Sequence, residues 1–382
     1  MRIARVSIDG PLDEFGGRAL IVSTDVGTVR TPQRALTSSE LQYKAKLPSD
    51  PPIDNDFSEV VSFYTRGQWE NFVRKNGAFR SRLRTLDFYG DKMGYTLRRF
   101  YPKIPRDVKI DRDIVKYLLE LQRMGSLDFI TMPNVPSDHS RFEQTVVGFS
   151  EEVVGENREP LVYLDMGLDA TVFQARFDTL LELADTGLVH SIGLQYKPIK
   201  DASVNYLHIW RNRDARVLIQ MSDVPRRFAD TSTMHLLQKW GIDTFSVRLH
   251  AFRGGGSGGT SGPTSHPDLH KVMRFDREPL LFRPYHSWQE GGATLGCSCP
   301  VCKGSTLDEF REMYTNVSED CDGEIFSAAT RLHEYYSSAA EFHTGRQFIR
   351  KGELDTYFQS KDGLRGSDKT FSKPLETLNG YL

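Results

Sequence analysis

Cysteine is scarce in this chain: four residues among 382, too few for a disulfide framework and in keeping with a reducing compartment. Long apolar runs are missing too. No segment approaches the roughly 20 consecutive apolar residues that span a bilayer, and the opening Met1-Arg-Ile-Ala-Arg-Val-Ser-Ile-Asp-Gly10 lacks the apolar core of a secretory signal. A soluble protein of the cytoplasm, away from any membrane, is the expectation. Excess charge of one sign is also absent, the formal net being −2. The whole chain therefore exerts no pull on nucleic acid, and any such surface must be a local patch. No internal repeat is evident. What remains, 38% hydrophobic and 26% charged, is ordinary globular composition with enough apolar residues for a sizeable core.

Three of the four cysteines fall in one tract, Cys297-Ser-Cys299-Pro-Val-Cys302, and His333 follows 31 residues after the last of them. Three thiolates and an imidazole complete a tetrahedral zinc site and leave no position open for water, so the metal expected here is a structural Zn2+. The glycines and proline around the tract make poor core and a good ligand loop. Cys321 is an alternative fourth ligand. His333 is preferred because 328–348 reads as a helix, which holds a ligand rigidly.

Short apolar runs recur along the chain: Ala19–Ser23, Arg84–Phe88, Leu127–Met132, Pro160–Asp165, His190–Leu194, Val217–Met221 and Gly241–Val247. Between them Ile114–Gln122, Phe173–Ala184 and Met234–Trp240 repeat apolar residues at helical spacing. Strands alternating with helices imply parallel β-α units. About eight such units in a chain this long favour an α/β fold of the closed (β/α)8 barrel type, a TIM barrel. The expected division is 1–289 for most of the barrel, 290–350 for a zinc-binding subdomain and 351–382 for a C-terminal barrel or tail segment. The Gly-rich stretch Gly254–Gly262 reads equally as a linker and as a mobile rim loop, with Arg248, His250 and Arg253 leading into it as phosphate contacts. Polar residues at the carboxyl ends of barrel strands face the active site. Here those positions hold Asp87, Asn134, Asp165, Gln195, Tyr196 and Asp243 to Ser246, an inventory that suits a purine edge and glycosidic-bond chemistry.

The Cys tract together with Leu332-His333-Glu-Tyr-Tyr and Arg346-Gln-Phe-Ile-Arg-Lys-Gly352-Glu-Leu resembles the zinc subdomain of the tRNA-guanine transglycosylases, especially the archaeal type. Leu20 to Pro32 is similar to the family's opening strand pair and Thr-Pro turn. The unit Asp111 to Pro136 resembles the helix and strand that end in a base-recognising Asp, a place held here by Asn134. Val217 to Phe245 looks like the elements that deliver the family's nucleophile. The resemblance covers most of the chain.

Departures are as informative as matches. The family's acid/base motif aligns with Asp87-Phe-Tyr-Gly90, while its nucleophile position is Ser246, so Asp87 and Asp243 become the expected catalytic carboxylates. The base-binding segments become Leu164-Asp165-Met-Gly167 and Ile192-Gly193-Leu-Gln195-Tyr196. Asn134, Asp165, Gly193, Gln195 and Tyr196 are thus the expected base pocket. The RNA-binding PUA domain of archaeal members is not expected after the zinc-subdomain helix. Basic clusters containing Arg82 and Arg84, and Arg98, Arg99 and Lys103, sit beside aromatic residues and would meet phosphate and a flipped base. The resemblance therefore implies a branch that exchanges guanine for a 7-deazaguanine such as preQ0 in DNA, with or without a helper protein. tRNA is the alternative substrate, and a non-catalytic nucleic-acid-binding paralogue the alternative class.

Overall fold

The computed structural model of the chain describes residues 2–12, 16–53, 55–63, 66–74, 76–93, 96–103, 112–125, 127–132, 139–248, 272–284, 297–315 and 324–365. Parallel pairing organises it. Six strands run in the order Gln33–Arg34, Thr244–Val247, Leu218–Val224, Ser191–Gln195, Glu159–Asp165 and Phe129–Met132, and three in the order Leu36–Thr37, Phe57–Phe63 and Leu97–Lys103. Only Ala35 separates the strand that begins one sheet from the strand that begins the other. Between the outermost strands, Leu97–Lys103 and Phe129–Met132, no ladder forms among the described residues. They are linked instead by a hydrogen bond from Asp128 N–H to the Arg98 carbonyl at 3.1 Å and one from Arg98 N–H to the Asp128 carboxylate at 2.9 Å.

Helices follow the strands, as the periodicity implies. Helix Ala170–Asp185 starts where the Asp169 carboxylate accepts from Thr171 N–H at 3.0 Å, and it buries Phe173, Phe177 and Leu180 at successive turns. Those spacings place all three on one face. The segment 84–88, expected as a strand, belongs instead to helix Asn76–Met93. Phe79, Leu83 and Leu86 recur there at helical spacing and pack into the core beside Trp69 and Leu121. Four of the parallel strands, at 33–34, 36–37, 57–63 and 97–103, were not anticipated by apolar runs.

At the amino ends of the strands, an antiparallel trio, Ile3–Ile8, Leu20–Thr24 and Thr28–Thr31, covers Phe57, Leu97, Phe129 and Leu218. Arg18 enters the same end. Its guanidinium donates to Asp243 Oδ1 at 3.0 Å and Oδ2 at 2.5 Å and to the carbonyls of Arg213, Ala215 and Val217. The Ile219 N–H completes the carboxylate's shell at 2.7 Å. Both side chains are fully buried.

Between the strands lies a buried polar network. Glu59 is fully buried. Its carboxylate accepts from Arg99 Nε at 2.6 Å, Ser222 Oγ at 2.5 Å, Ser246 Oγ at 2.6 Å and, more distantly, Tyr163 OH at 3.4 Å. Arg99 Nη1 also donates to Gln220 and, at 3.0 Å, to Thr244. Four strands besides its own are thereby tied to one carboxylate.

Removing one partner of a buried ion pair costs more than the pair itself contributes, because the other charge stays buried. Asp243→Asn is therefore expected to destabilise the protein by about 3–5 kcal/mol, read from its denaturant midpoint. Wild-type stability in that variant would contradict a structural role for the Arg18–Asp243 pair.

Candidate metal centre and strand-end site

The cysteine tract folds as a tight knuckle. Lys303 N–H donates to the Cys299 carbonyl at 2.9 Å and Gly304 N–H to that of Cys297 at 3.0 Å, with Lys303 and Gly304 at φ of 53° and 74°. Across from it runs helix Glu324–Lys351, longer than the 328–348 expected, which ends at Gly352 with φ 72°, the left-handed cap glycine favours. His333 projects from this helix toward the thiols. The ligand atoms of Cys297, Cys299, Cys302 and His333 lie within 4.8 Å of one another.

The geometry fits a tetrahedral metal. His333 Nε2 is held by the Phe275 carbonyl at 2.8 Å, which fixes the proton there and turns the Nδ1 lone pair to the sulfurs. Nδ1 stands 3.5, 3.6 and 3.2 Å from the sulfurs of Cys297, Cys299 and Cys302. A Zn–S bond of about 2.3 Å and a Zn–N bond of about 2.0–2.1 Å set that edge of a tetrahedron at about 3.5 Å. Burial lowers the His333 pKa, which favours the neutral imidazole that a metal needs. The thiols cannot all ionise together unaided: hydrogen bonds from Cys299 and Cys302 push Cys297 down, while contact with Cys297 pushes Cys302 up. Three thiolates on a divalent ion leave one net negative charge. Arg274, fully buried and donating to Cys302 Sγ at 2.9 Å, stands where it offsets that charge. The residues fit zinc, and they leave it no open position. Cys321 lies outside the described residues.

A second polar group gathers at the carboxyl ends of the strands. Asp223, at the end of strand Leu218–Val224, has φ 63°, a left-handed conformation that costs a non-glycine residue and tends to persist where function requires it. Lys103 Nζ, from the end of strand Leu97–Lys103, donates to its two oxygens at 2.9 and 3.0 Å, and Arg248 Nε lies 3.3 Å away. Asp165 and Gln195 end the neighbouring strands in register with Ser222. Tyr101, 5% exposed, sits among these groups: burial, then Asp223, Tyr163, Glu59 and Asp165, hold its phenol well above the ordinary value. The Tyr101 and Tyr163 rings stand 5.2 Å apart.

The expected site residues are distributed unevenly. Asp165, Gln195 and Arg248 come together at the strand ends. Asp165 Oδ1 also accepts from Gly167 N–H at 2.8 Å, the local turn that a strand-end Asp commonly makes. Tyr196 adjoins them, but it packs into the main core with only 7% of its surface exposed, and burial pushes its phenol up to about 12. Gly193 does not border an opening: a Cβ there would stand 2.8 Å from the Tyr163 ring, so its bareness seats that ring. Asp87 is not at a strand end. It is exposed on helix Asn76–Met93, as is Arg84, with Arg82 half-buried. Asp243 stands at the amino end of its strand, opposite the site, bound by Arg18. Arg99, expected in a nucleic-acid patch, is buried. Ser246 is buried too, and the carboxylate beside it is Glu59. Asn134, His250, Arg253 and Gly254–Gly262 lie outside the described residues.

The sequence reading missed Asp223 and Glu59, and it placed Lys103 in a nucleic-acid patch, not beside a carboxylate. A signal for Asp223 existed, since the run Val217–Met221 continues through Ser222-Asp223-Val224 with no glycine or proline before Pro225. No helix among the described residues is long and apolar enough to cross a membrane. No protein-family model matches the chain, and no curated protein matches it.

The metal centre makes a direct prediction. Purified protein is expected to hold one zinc per chain, and chelation, Cys299→Ser or His333→Ala should lower the unfolding midpoint by roughly 10 °C or more, since structural zinc contributes folding free energy. Folded protein free of metal by elemental analysis would contradict the assignment.

Proposed function

We propose that this protein is a zinc-containing base-exchange transglycosylase that replaces guanine in DNA by a 7-deazaguanine, on a closed (β/α)8 barrel whose mouth is the strand-end cluster. Support for closure comes from nine parallel strand segments in two sheets, adjoining at Ala35 and at the Arg98–Asp128 hydrogen bonds, and from the interior polar network reaching across them. The observation that carries the functional reading is Asp223: a strained carboxylate at a strand's carboxyl end, flanked by Lys103 and Arg248, with Asp165 close by. Carboxylates at that end are what glycosidic-bond cleavage requires, and flanking cations suit a phosphate-bearing substrate.

In this reading the catalytic roles move from Asp87 and Asp243 to Asp223 and Asp165. Asp223 attacks C1′, the C1′–N9 bond breaks, and guanine leaves with a proton delivered by Asp165. The incoming base then gives its N9 proton to Asp165, and the nitrogen attacks C1′ to displace Asp223. Gln195 reads the base edge. Lys103 and Arg248 hold Asp223 in place and neutralise charge as it reacts. Zinc, held by Cys297, Cys299, Cys302 and His333, supplies rigidity and no chemistry.

A second reading, a nucleic-acid-binding protein without catalysis, draws on Ser246. It occupies the resemblance's nucleophile position, yet its hydroxyl is buried and donates to Glu59.

Exchange of labelled guanine into DNA and into tRNA separates these readings. DNA is expected to be the better substrate. Asp223→Asn should lower exchange by about 100-fold or more and cost less stability than Asp243→Asn, because Asn tolerates positive φ and the partners Lys103 and Arg248 reach solvent. Asp87→Asn should leave exchange within about twofold, as a solvent-exposed helix position outside the site implies. Exchange into tRNA alone refutes the DNA assignment; full activity in Asp223→Asn refutes the mechanism.

A further inference from the structure

Beside the strand-end site, on its outer flank, lies a small notch of about 40 Å³ lined by Arg34, Arg226, Arg248, Arg331, Glu40 and Glu334, with Tyr43 at its side. Four guanidinium groups face two carboxylates. The carboxylates are already committed. Glu40 closes the cap of helix Ser38–Lys44, accepting from Thr37 N–H at 2.8 Å, and it takes Arg34 Nη2 at 2.6 Å. Glu334 Oε2 is held by both Arg226 nitrogens, the Nε contact being 2.7 Å. Positive charge is left in excess.

Arg34 makes that excess specific. Its side chain is 2% exposed, stacked under the Tyr335 ring at 5.4 Å, yet Nε and Nη1 carry no hydrogen bond. Glu334 Oε1, at 3.8 Å from Nη1, is beyond hydrogen-bond reach. Buried donors without acceptors are costly and rare, and Arg34 lines a notch whose other charged walls are three arginines and two glutamates. Arg248 Nε is in the same condition, although it faces Asp223. Several convergent guanidinium donors match the oxygens of a tetrahedral oxyanion.

We infer that this notch is a binding site for a phosphate group, with Arg34 as its buried floor and Arg331 and Arg248 as its rim. The inference rests on the arginine geometry and not on base exchange. Two sources offer the chemistry. A phosphodiester of a nucleic-acid strand presents only acceptors, whereas inorganic phosphate or a monoester also carries a P–OH that can donate to Glu334 Oε1, the acceptor left without a hydrogen bond. Because Arg248 borders both the notch and Asp223, a bound phosphate would lie next to the strand-end carboxylates.

The test measures binding of inorganic phosphate, of a short single-stranded DNA and of the same DNA with uncharged methylphosphonate linkages to the full chain, in wild type, Arg34→Lys and Arg331→Gln. Arg331 is 29% exposed, so its variant keeps the protein folded even if Arg34→Lys does not. The expected result is an affinity at least about tenfold lower in Arg331→Gln, the scale of a lost charge-assisted contact. An effect on inorganic phosphate identifies a free phosphate or monoester. An effect on DNA that vanishes with methylphosphonate identifies the backbone, and the salt slope should then fall by about one. Failure of the wild type to bind any phosphate-bearing probe, or equal affinities in wild type and Arg331→Gln, overturns the inference. Neither outcome depends on whether bases are exchanged.

Discussion

The buried Glu59 carboxylate is the constraint around which the parallel strands are arranged. Arg99, Ser222 and Ser246 each bring a donor to it within 2.6 Å, from three strands other than its own. A buried charge tolerates little displacement, because an unmet donor or acceptor costs about 1–3 kcal/mol and an unpaired charge more. Strand register is therefore set from inside. The same network fills the middle of the strand assembly, which leaves the amino ends to the apolar hairpin cover and the carboxyl ends to Lys103, Asp165, Gln195, Asp223 and Arg248.

That constraint also explains what could be read from sequence and what could not. Strands such as Glu159–Asp165 and Leu218–Val224 showed as apolar runs because both faces are buried. Phe57–Phe63 and Leu97–Lys103 carry their buried charges in mid-strand. Glu59 interrupts the apolar pattern of the former, and the pair Arg98-Arg99 gives the latter the character of a basic surface cluster. With those strands missed, a strand-end role was assigned to Asp87, which helix Asn76–Met93 turns to solvent. Asp243 misled for a different reason: its neighbours in sequence are those of a strand, but it precedes the strand and faces the opposite end. The metal ligands were legible because their constraint is local. Three cysteines within six residues and one helical histidine need little long-range information to be recognised.

The two polar regions are mechanically joined. The group Cys297, Cys299, Cys302 and His333 brings the knuckle at 297–304 against helix Glu324–Lys351, and that helix packs on helix Ser38–Lys44 and strand Gln33–Arg34. Its residues 331, 334 and 335 reach Arg34 and the arginine notch. Arg248 then links the notch to Asp223. A metal site with no open coordination position can thus shape a functional surface by holding one helix at a fixed distance from the strand ends, as outer contacts do around other metal sites.

The central claim is that a strand-end carboxylate forms a bond to C1′. The most direct measurement is denaturing electrophoresis of the protein after incubation with end-labelled guanine-containing DNA, where an ester at C1′ survives as a shifted band. The account predicts a covalent adduct with wild type and with Asp87→Asn, and none with Asp223→Asn. An adduct that persists in Asp223→Asn, or none from wild type with DNA and tRNA alike, would contradict it.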